Sequence, residues 1–378
     1  ANLQPVAAAM LTRGTKTMTR SEIEDRMTEL KMAGSITNFT TTRKNLPAAL
    51  ELVFDAMHNS IMPQDEFDQF KKQMQVMIES MRDKPDALAQ NAITQHFNTY
   101  PKGDPRYEYS LDESLEQLNK LTVDQVRAFY KEFGGTSRGE ISIVGDFDPK
   151  AVEKIIRDDY AKYVSKAHYA PVVTEYRPVK ATRVVIDTPD KENAIIVARS
   201  VFPINDTAPD APALTVANWI LGGGTGLSNR LIERLRQKEG LSYGAGSHVR
   251  IPAKGDNGSF VFRAIVAPQN MLQAEASARD VIAKAIKDGF TDQEVEEAKK
   301  GLLQAMQVAR SQDDVVARSW NDKMENQRTW VFSKKQAEAI SKLTTADVNA
   351  ALRKYIKPDE ITFVLAGDQK KAAQKKQD

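Results

Sequence analysis

Cysteine is absent from the 378 residues, which excludes disulfides, thiolate metal sites and cysteine nucleophiles and leaves the redox compartment open. Histidine is scarce. No two of the four, His58, His96, His168 and His248, stand at the spacing of a metal-ligand pair, and each reads as a surface or capping residue. An excess of one charge is also missing: 53 Lys plus Arg face 51 Asp plus Glu, and a net charge of +2 gives no case for a nucleic-acid partner. No apolar run approaches a membrane span, so no membrane insertion is expected. The glycine triplet Gly222, Gly223 and Gly224 lacks the Lys-Ser/Thr ending of a P-loop, and no strand with G-x-G-x-x-G precedes it. What remains, 41% hydrophobic and 28% charged, is ordinary globular composition, long enough for two or three domains.

The most informative stretch runs from Leu221 to Gly246, LGGGTGLSNRLIERLRQKEGLSYGAG. The triplet ends one helical pattern, Leu227, Leu231, Ile232 and Leu235 recur as on an amphipathic helix, and Gly240 stops it. That helix delivers Arg236 near its last turn. Tyr243 follows at the start of a segment, Ser242 to Arg250, that reads as a strand, so guanidinium and phenol meet at a helix-to-strand corner. Taken singly, each has a structural reading: Arg favoured by the helix dipole, Tyr by strand packing. Strict alternation would set Tyr243 and His248 on opposite faces.

Along the chain, Leu3 to Leu11 reads as a helix, Ser21 and Glu24 as a capping box, and Ile36 to Thr42 as a strand. Helical patterns then run to Phe133, with Met74, Met77 and Met81 as core fillers, and Glu140 to Val144 reads as apolar strand before Gly145-Asp146. Strands are expected at 183–187, 194–199, 242–250, 259–266 and 361–366, and Thr291 with Glu294 caps a long helix. Leu121-Thr122 and Gly145-Asp146 recur as Leu343-Thr344 and Gly367-Asp368 with the same internal separation. One α+β unit therefore occurs twice. Residues 1–166 form the first module, 167–181 a linker and 182–378 the second, and strands segregated from helical runs favour helix-covered sheets over a doubly wound fold.

The central stretch closely resembles the Arg/Tyr segment of the insulinase or pitrilysin zinc peptidases, the inverzincins. The match rests on the Gly-rich turn, Ser228, Arg230 and Leu231, Leu235-Arg236, and Gly240-Leu241-Ser242-Tyr243-Gly244. The resemblance implies the inactive, C-terminal half of a bacterial zinc protease, built of two modules, each a mainly antiparallel β-sheet covered by helices. It also implies a first module lacking its opening strands, since a helix like Leu3 to Leu11 follows a strand pair in the family. Arg236 and Tyr243 would reach the substrate at the zinc site of the other half, and Gly222 to Gly224 would allow close backbone approach.

The same family needs H-x-x-E-H, two imidazoles for zinc and a carboxylate base between them. Counted back from Gly14-Thr15, the first His position falls on Pro5, the Glu on Ala8 and the second His on Ala9. Imidazole lends zinc a lone pair and carboxylate takes a proton from water; Pro and Ala do neither. Glu79 lies near the third-ligand place but reads as a solvated helix residue. The resemblance thus implies a chain inactive alone that binds no cofactor. Its partner would be an H-x-x-E-H half, in the same polypeptide or a separate subunit, that carries zinc and acts on a peptide, with the periplasm as compartment. The alternatives are a scaffold, as the core subunits of respiratory complex III are, and an independent metallopeptidase with an unrecognised site.

Overall fold

The computed structural model describes residues 3–224 and 229–374. Two compact units emerge. One gathers the segments up to Glu79, Asp112–Pro171 and Gln312–Asp322; the other gathers Ser80–Leu111, Val172–Ser311 and the chain from Lys323 onward.

The second unit is organised on a five-stranded sheet of β3 (Arg183–Asp187), β4 (Ala194–Pro203), β5 (Ser242–Arg250), β6 (Asn257–Val266) and β7 (Thr362–Gly367), in the order β3-β7-β4-β6-β5. Only β3 and β7 pair parallel. The continuous apolar runs AIIVARSVFP and TFVLAG occupy inner positions because both their faces are covered. On one face Ala194, Ile196, Phe260, Phe262, Phe363 and Leu365 join a core with residues of the helices Ala211–Asn218, Met271–Asp288 and Thr345–Tyr355. Each fully buried Phe there stabilises the unit by about 1.5–3 kcal/mol. On the other face Ile195, Val197, Val364 and Ala366 meet Ala89 and Ile93 of the helix Pro85–His96. That helix interrupts a stretch otherwise assigned to the first unit.

The first unit is mostly helical. Its cores are Met10, Met62, Phe67, Leu121 and Val126, and Leu30, Leu52, Val53 and Tyr160. The antiparallel pair β1 (Ala33–Ser35) and β2 (Asn38–Thr40) is its sheet among the described residues. The expected strand at 36–42 is therefore a hairpin with its turn at Ile36 and Thr37. Gly34, at φ +124°, permits it, since a Cβ there would stand 2.3 Å from the Asn38 carbonyl oxygen. Residues 140–144, with three apolar side chains in five, are not a strand, for no described strand lies alongside them, and Ile143 instead packs with Leu46, Leu50 and Val152.

Of the two expected capping boxes, the one at Thr291 is present and the one at Ser21 is displaced. Thr122 with Gln125, Thr291 with Glu294 and Thr344 with Asp347 all form reciprocal capping boxes. The first box, however, is Thr19 with Glu22, because the helix begins at Arg20 and encloses Ser21. The methionine reading also fails: Met74 and Met81 are half-buried and Met77 is 41% exposed, so none belongs to the buried core. Among the described residues no helix is long and apolar enough to cross a membrane.

Candidate functional site

The expected corner exists, reached through two π-helical turns that no sequence pattern signalled. The helix Ala211–Asn218 continues as a π turn, Trp219–Gly223, and lays Gly222 on the middle of β5. A Cβ on Gly222 would stand 2.6 Å from Ser247 Oγ and 2.7 Å from its backbone nitrogen. The close approach shown here is thus of chain to chain. A buried pair locks it, Ser247 Oγ donating to Asn218 Oδ1 at 2.8 Å. Residues 225–228 follow, so the expected contributions of Leu227 and Ser228 lie outside the described residues.

The next helix starts at Arg230 under the cap of Asn229, whose side chain accepts from the Ile232 N–H at 2.9 Å. Arg230 grips both oxygens of Glu294 (2.7 and 2.8 Å), donates to the Gly289 carbonyl at 3.0 Å and lies over the Phe290 ring. Burial works to raise the Glu294 carboxyl, but Arg230 and the Thr291 N–H outweigh it and hold the group below its ordinary value. Arg230, seen in the sequence only as part of a pattern, therefore anchors the start of the helix that carries Arg236.

That helix closes as a second π turn, Glu233–Lys238, and Gly240 ends it at φ +60°, as its position predicts. The Leu241 N–H donates back to the Leu235 carbonyl at 2.8 Å, tying the strand start to the turn that bears Arg236. β5 then departs from simple alternation. Ser242 pairs with Val266 and Gly244 with Ile265, leaving Tyr243 as the extra residue of a β-bulge. Ser242 Oγ lies within hydrogen-bond distance of the carbonyls of Gly244 (2.7 Å) and Ile265 (3.0 Å), between which its one proton is shared, and accepts from the Gly244 N–H, fixing the bulge.

The bulge corrects the expected separation of Tyr243 from His248. Tyr243 and Gly244 together oppose Ile265, so the phenol leaves on the face of Gly244, Gly246 and His248, away from the helix-covered core. Tyr243 is 66% exposed and Arg236 is exposed. Among the described residues neither side chain has a hydrogen-bond partner, whereas Arg230, Asn229 and Ser242 around them are all engaged. One corner thus holds two undirected donors on a braced support.

The expected zinc positions have no donor chemistry. Pro5 and Ala8 are exposed and Ala9 half-buried on the helix Leu3–Met10, and none offers a metal-ligating side-chain atom, so these residues do not fit zinc. Glu79 is exposed, and among the described residues no three His, Asp or Glu are grouped to hold a metal. His168 and His248 are exposed, and His96 Nε2 lies 2.9 Å from the Lys180 carbonyl. His58 is neither surface nor cap. It sits between the rings of Phe54 (3.7 Å) and Tyr163 (4.1 Å), where burial pushes its pKa down despite opposing pulls from the Phe54 carbonyl, Asp159 and Asp55.

Comparison with known proteins gives these residues a context. Residues 120–302 match the family model described as the Peptidase M16 inactive domain. An uncharacterised zinc protease of Mycobacterium bovis is 24% identical over 299 residues, 76% of this chain and 66% of that protein. Helicobacter pylori YmxG, described as a non-peptidase homologue, is 20% identical over 259 residues, 68% of this chain and 58% of its own length. The chain thus spans less than two thirds of these relatives. Among solved structures, a peptidase M16 inactive domain from Pseudomonas fluorescens superposes with a TM-score of 0.80 at 21% identity, covering 96% of this chain and 87% of that one. The periplasmic protease PqqL of Escherichia coli gives 0.66 at 14% identity, over 96% of this chain and 40% of its own. The glycine turn, helix and bulged strand thus lie inside the segment, residues 120–302, that matches the Peptidase M16 inactive domain, and the chain shares its fold with a solved M16 inactive domain.

Proposed function

We propose that the chain is the non-catalytic, substrate-binding half of an M16 zinc metalloendopeptidase, completing the peptide chamber and active site of an H-x-x-E-H half. The observation that carries this reading is the corner itself: Arg236 and Tyr243 are exposed and unbonded among the described residues, while Arg230, Asn229 and Ser242 around them are bonded within the chain. Guanidinium and phenol are both donors, suited to a peptide carbonyl or to the oxyanion that develops when it is attacked. Zinc belongs to the partner half, whether that half is a separate subunit or part of the same polypeptide. The periplasm is the proposed compartment, in keeping with the periplasmic protease PqqL among the structural neighbours.

A scaffold without a role in proteolysis is the second reading. It is favoured by the empty chemistry of Pro5, Ala8 and Ala9 and by a relative described as a non-peptidase. Two donors at one corner without a hydrogen-bond partner among the described residues favour the substrate-binding reading over a scaffold.

Photo-cross-linking tests the choice. A benzophenone amino acid replacing Tyr243, in the complex with an H-x-x-E-H half, is expected to capture dye-labelled reduced casein. The same group at Val331, 60% exposed on the helix Trp330–Lys342, should not. Equal capture at the two positions would contradict the substrate-binding role.

A further inference from the structure

The sheet face that carries Tyr243 holds a second unsatisfied group. In β4, Arg199 stands opposite Val261 of β6, and Val261 stands opposite His248 of β5, so the three form one row across the sheet. The neighbouring row on the same face is Val201, Ser259 and Arg250, and the row on the other side is Val197, Arg263 and Gly246. Arg263 is neutralised by Asp86 at 2.6 Å. Arg199 and Arg250 have no ion pair or hydrogen bond among the described residues.

Arg199 is the unusual one. Its guanidinium lies over the Phe97 ring, 4.8 Å from the centroid, and its Nε is sealed from water with no acceptor. Burial first, and then the charge of Arg250, work against its protonated form, with Glu108 pulling weakly the other way. A guanidinium nonetheless stays charged at neutral pH. Stacking on Phe97 offsets part of the desolvation but supplies no acceptor for the planar fork of donors. Unpaired, half-buried charge destabilises a fold, so a structural purpose alone does not account for it.

We infer that Arg199, with Arg250 beside it, is a binding site for a peptide carboxylate, an acidic side chain or a free C-terminus, on a substrate lying over the β5 and β6 part of this face, beside the helix Pro85–His96 that covers β4 and β7. The inference deepens the peptide-binding reading and rests on it. A carboxylate can accept from the two terminal Nη groups bidentately, leaving the sealed Nε on the protein side, and Arg250 adds the second charge. The spacing also sets a register. Four residues along β6 separate Ile265, which Tyr243 opposes, from Val261, which Arg199 opposes, and β4 lies two strands from β5. At about 3.4 Å per residue and 4.8 Å per strand, that is roughly 17 Å, so the carboxylate falls about four to six residues from the carbonyl held at Tyr243.

The test is equilibrium binding to the full chain, without a partner half, of three dye-labelled ten-residue peptides of one sequence. One has a central Glu and an amidated C-terminus, one Gln with the amide, and one Gln with a free C-terminus. At least one carboxylate peptide is expected to bind tenfold or more tighter than the Gln amide, and which one does so identifies the source of the carboxylate. Arg199→Met should abolish the preference without lowering the melting temperature, since it removes an unpaired charge. Arg250→Gln, at an exposed side chain, should weaken the preference with the fold unaffected. Lys334→Met, exposed on the helix Trp330–Lys342, should leave it intact. Equal binding of all three peptides by the unaltered chain, a preference that survives Arg199→Met, or a lower melting temperature in that variant would each overturn the assignment. The readout is a ratio between peptides in the absence of a catalytic half. It therefore fails independently of any turnover assay of Arg236.

Discussion

Replacing Arg236 with alanine, in a complex with an H-x-x-E-H half, is expected to lower peptide turnover about 10²-fold or more, the scale of a deleted oxyanion donor. The melting temperature should not change. Arg236 is exposed and makes no hydrogen bond among the described residues, so its loss removes nothing that holds the fold, and surface substitutions of this kind fall within about 0.5 kcal/mol. A donor that strengthens its grip as charge develops lowers kcat and kcat/KM together, whereas a contact equal in substrate and transition state raises KM alone. Tyr243→Phe should act in the same direction, for it removes only the phenolic O–H. Arg230→Ala makes the contrast: its grip on Glu294 and Gly289 is internal, so stability should fall along with turnover. An unchanged rate in the Arg236 variant would end the assisting role, whatever the fold.

The second large effect is on stability. Gly222→Ala should lower it by about 1–3 kcal/mol or more, read as a fall in melting temperature, because the added methyl is driven into the Ser247 backbone and the Leu231 side chain. The φ of Gly222 is not left-handed, so the penalty is purely one of space. Asn218 and Ser247 hold the strand against the π turn and leave it little room to retreat. Gly139, where an added Cβ meets nothing within 4 Å, is the control and should tolerate alanine without change. A Gly222→Ala protein as stable as the parent would mean that the turn and β5 are not packed as described.

Much of this site was legible because local chemistry dictates it. Gly240 marked the helix end through the left-handed turn it takes, Thr291 with Glu294 marked a helix start, and β4 announced itself by a run of apolar residues. What escaped was set by tertiary contact. The two π turns lie beside contacts that no local pattern records, Gly222 against β5 and Arg230 against Glu294, a partner 64 residues away. The bulge at Tyr243 depends on the Ser242 hydroxyl reaching across to β6, and it shifts every later residue of β5 by one face relative to strict alternation. Residues 140–144 carry the composition of a strand, but pairing needs a neighbour, and composition says nothing about whether one is there. Arg199 was invisible for the same reason: its isolation is a property of the sheet, not of the sequence around it.

The most direct measurement of the central claim is peptide hydrolysis in zinc-containing buffer, by this chain alone and by the chain mixed with an H-x-x-E-H half, each with and without chelator. The account predicts no hydrolysis by the chain alone, and activity in the mixture that exceeds that of the catalytic half by itself, is abolished by chelator and is lost with Arg236→Ala. Chelator-sensitive hydrolysis by the chain alone would contradict it, and would mean that Pro5, Ala8 and Ala9 do not mark where the metal chemistry is missing.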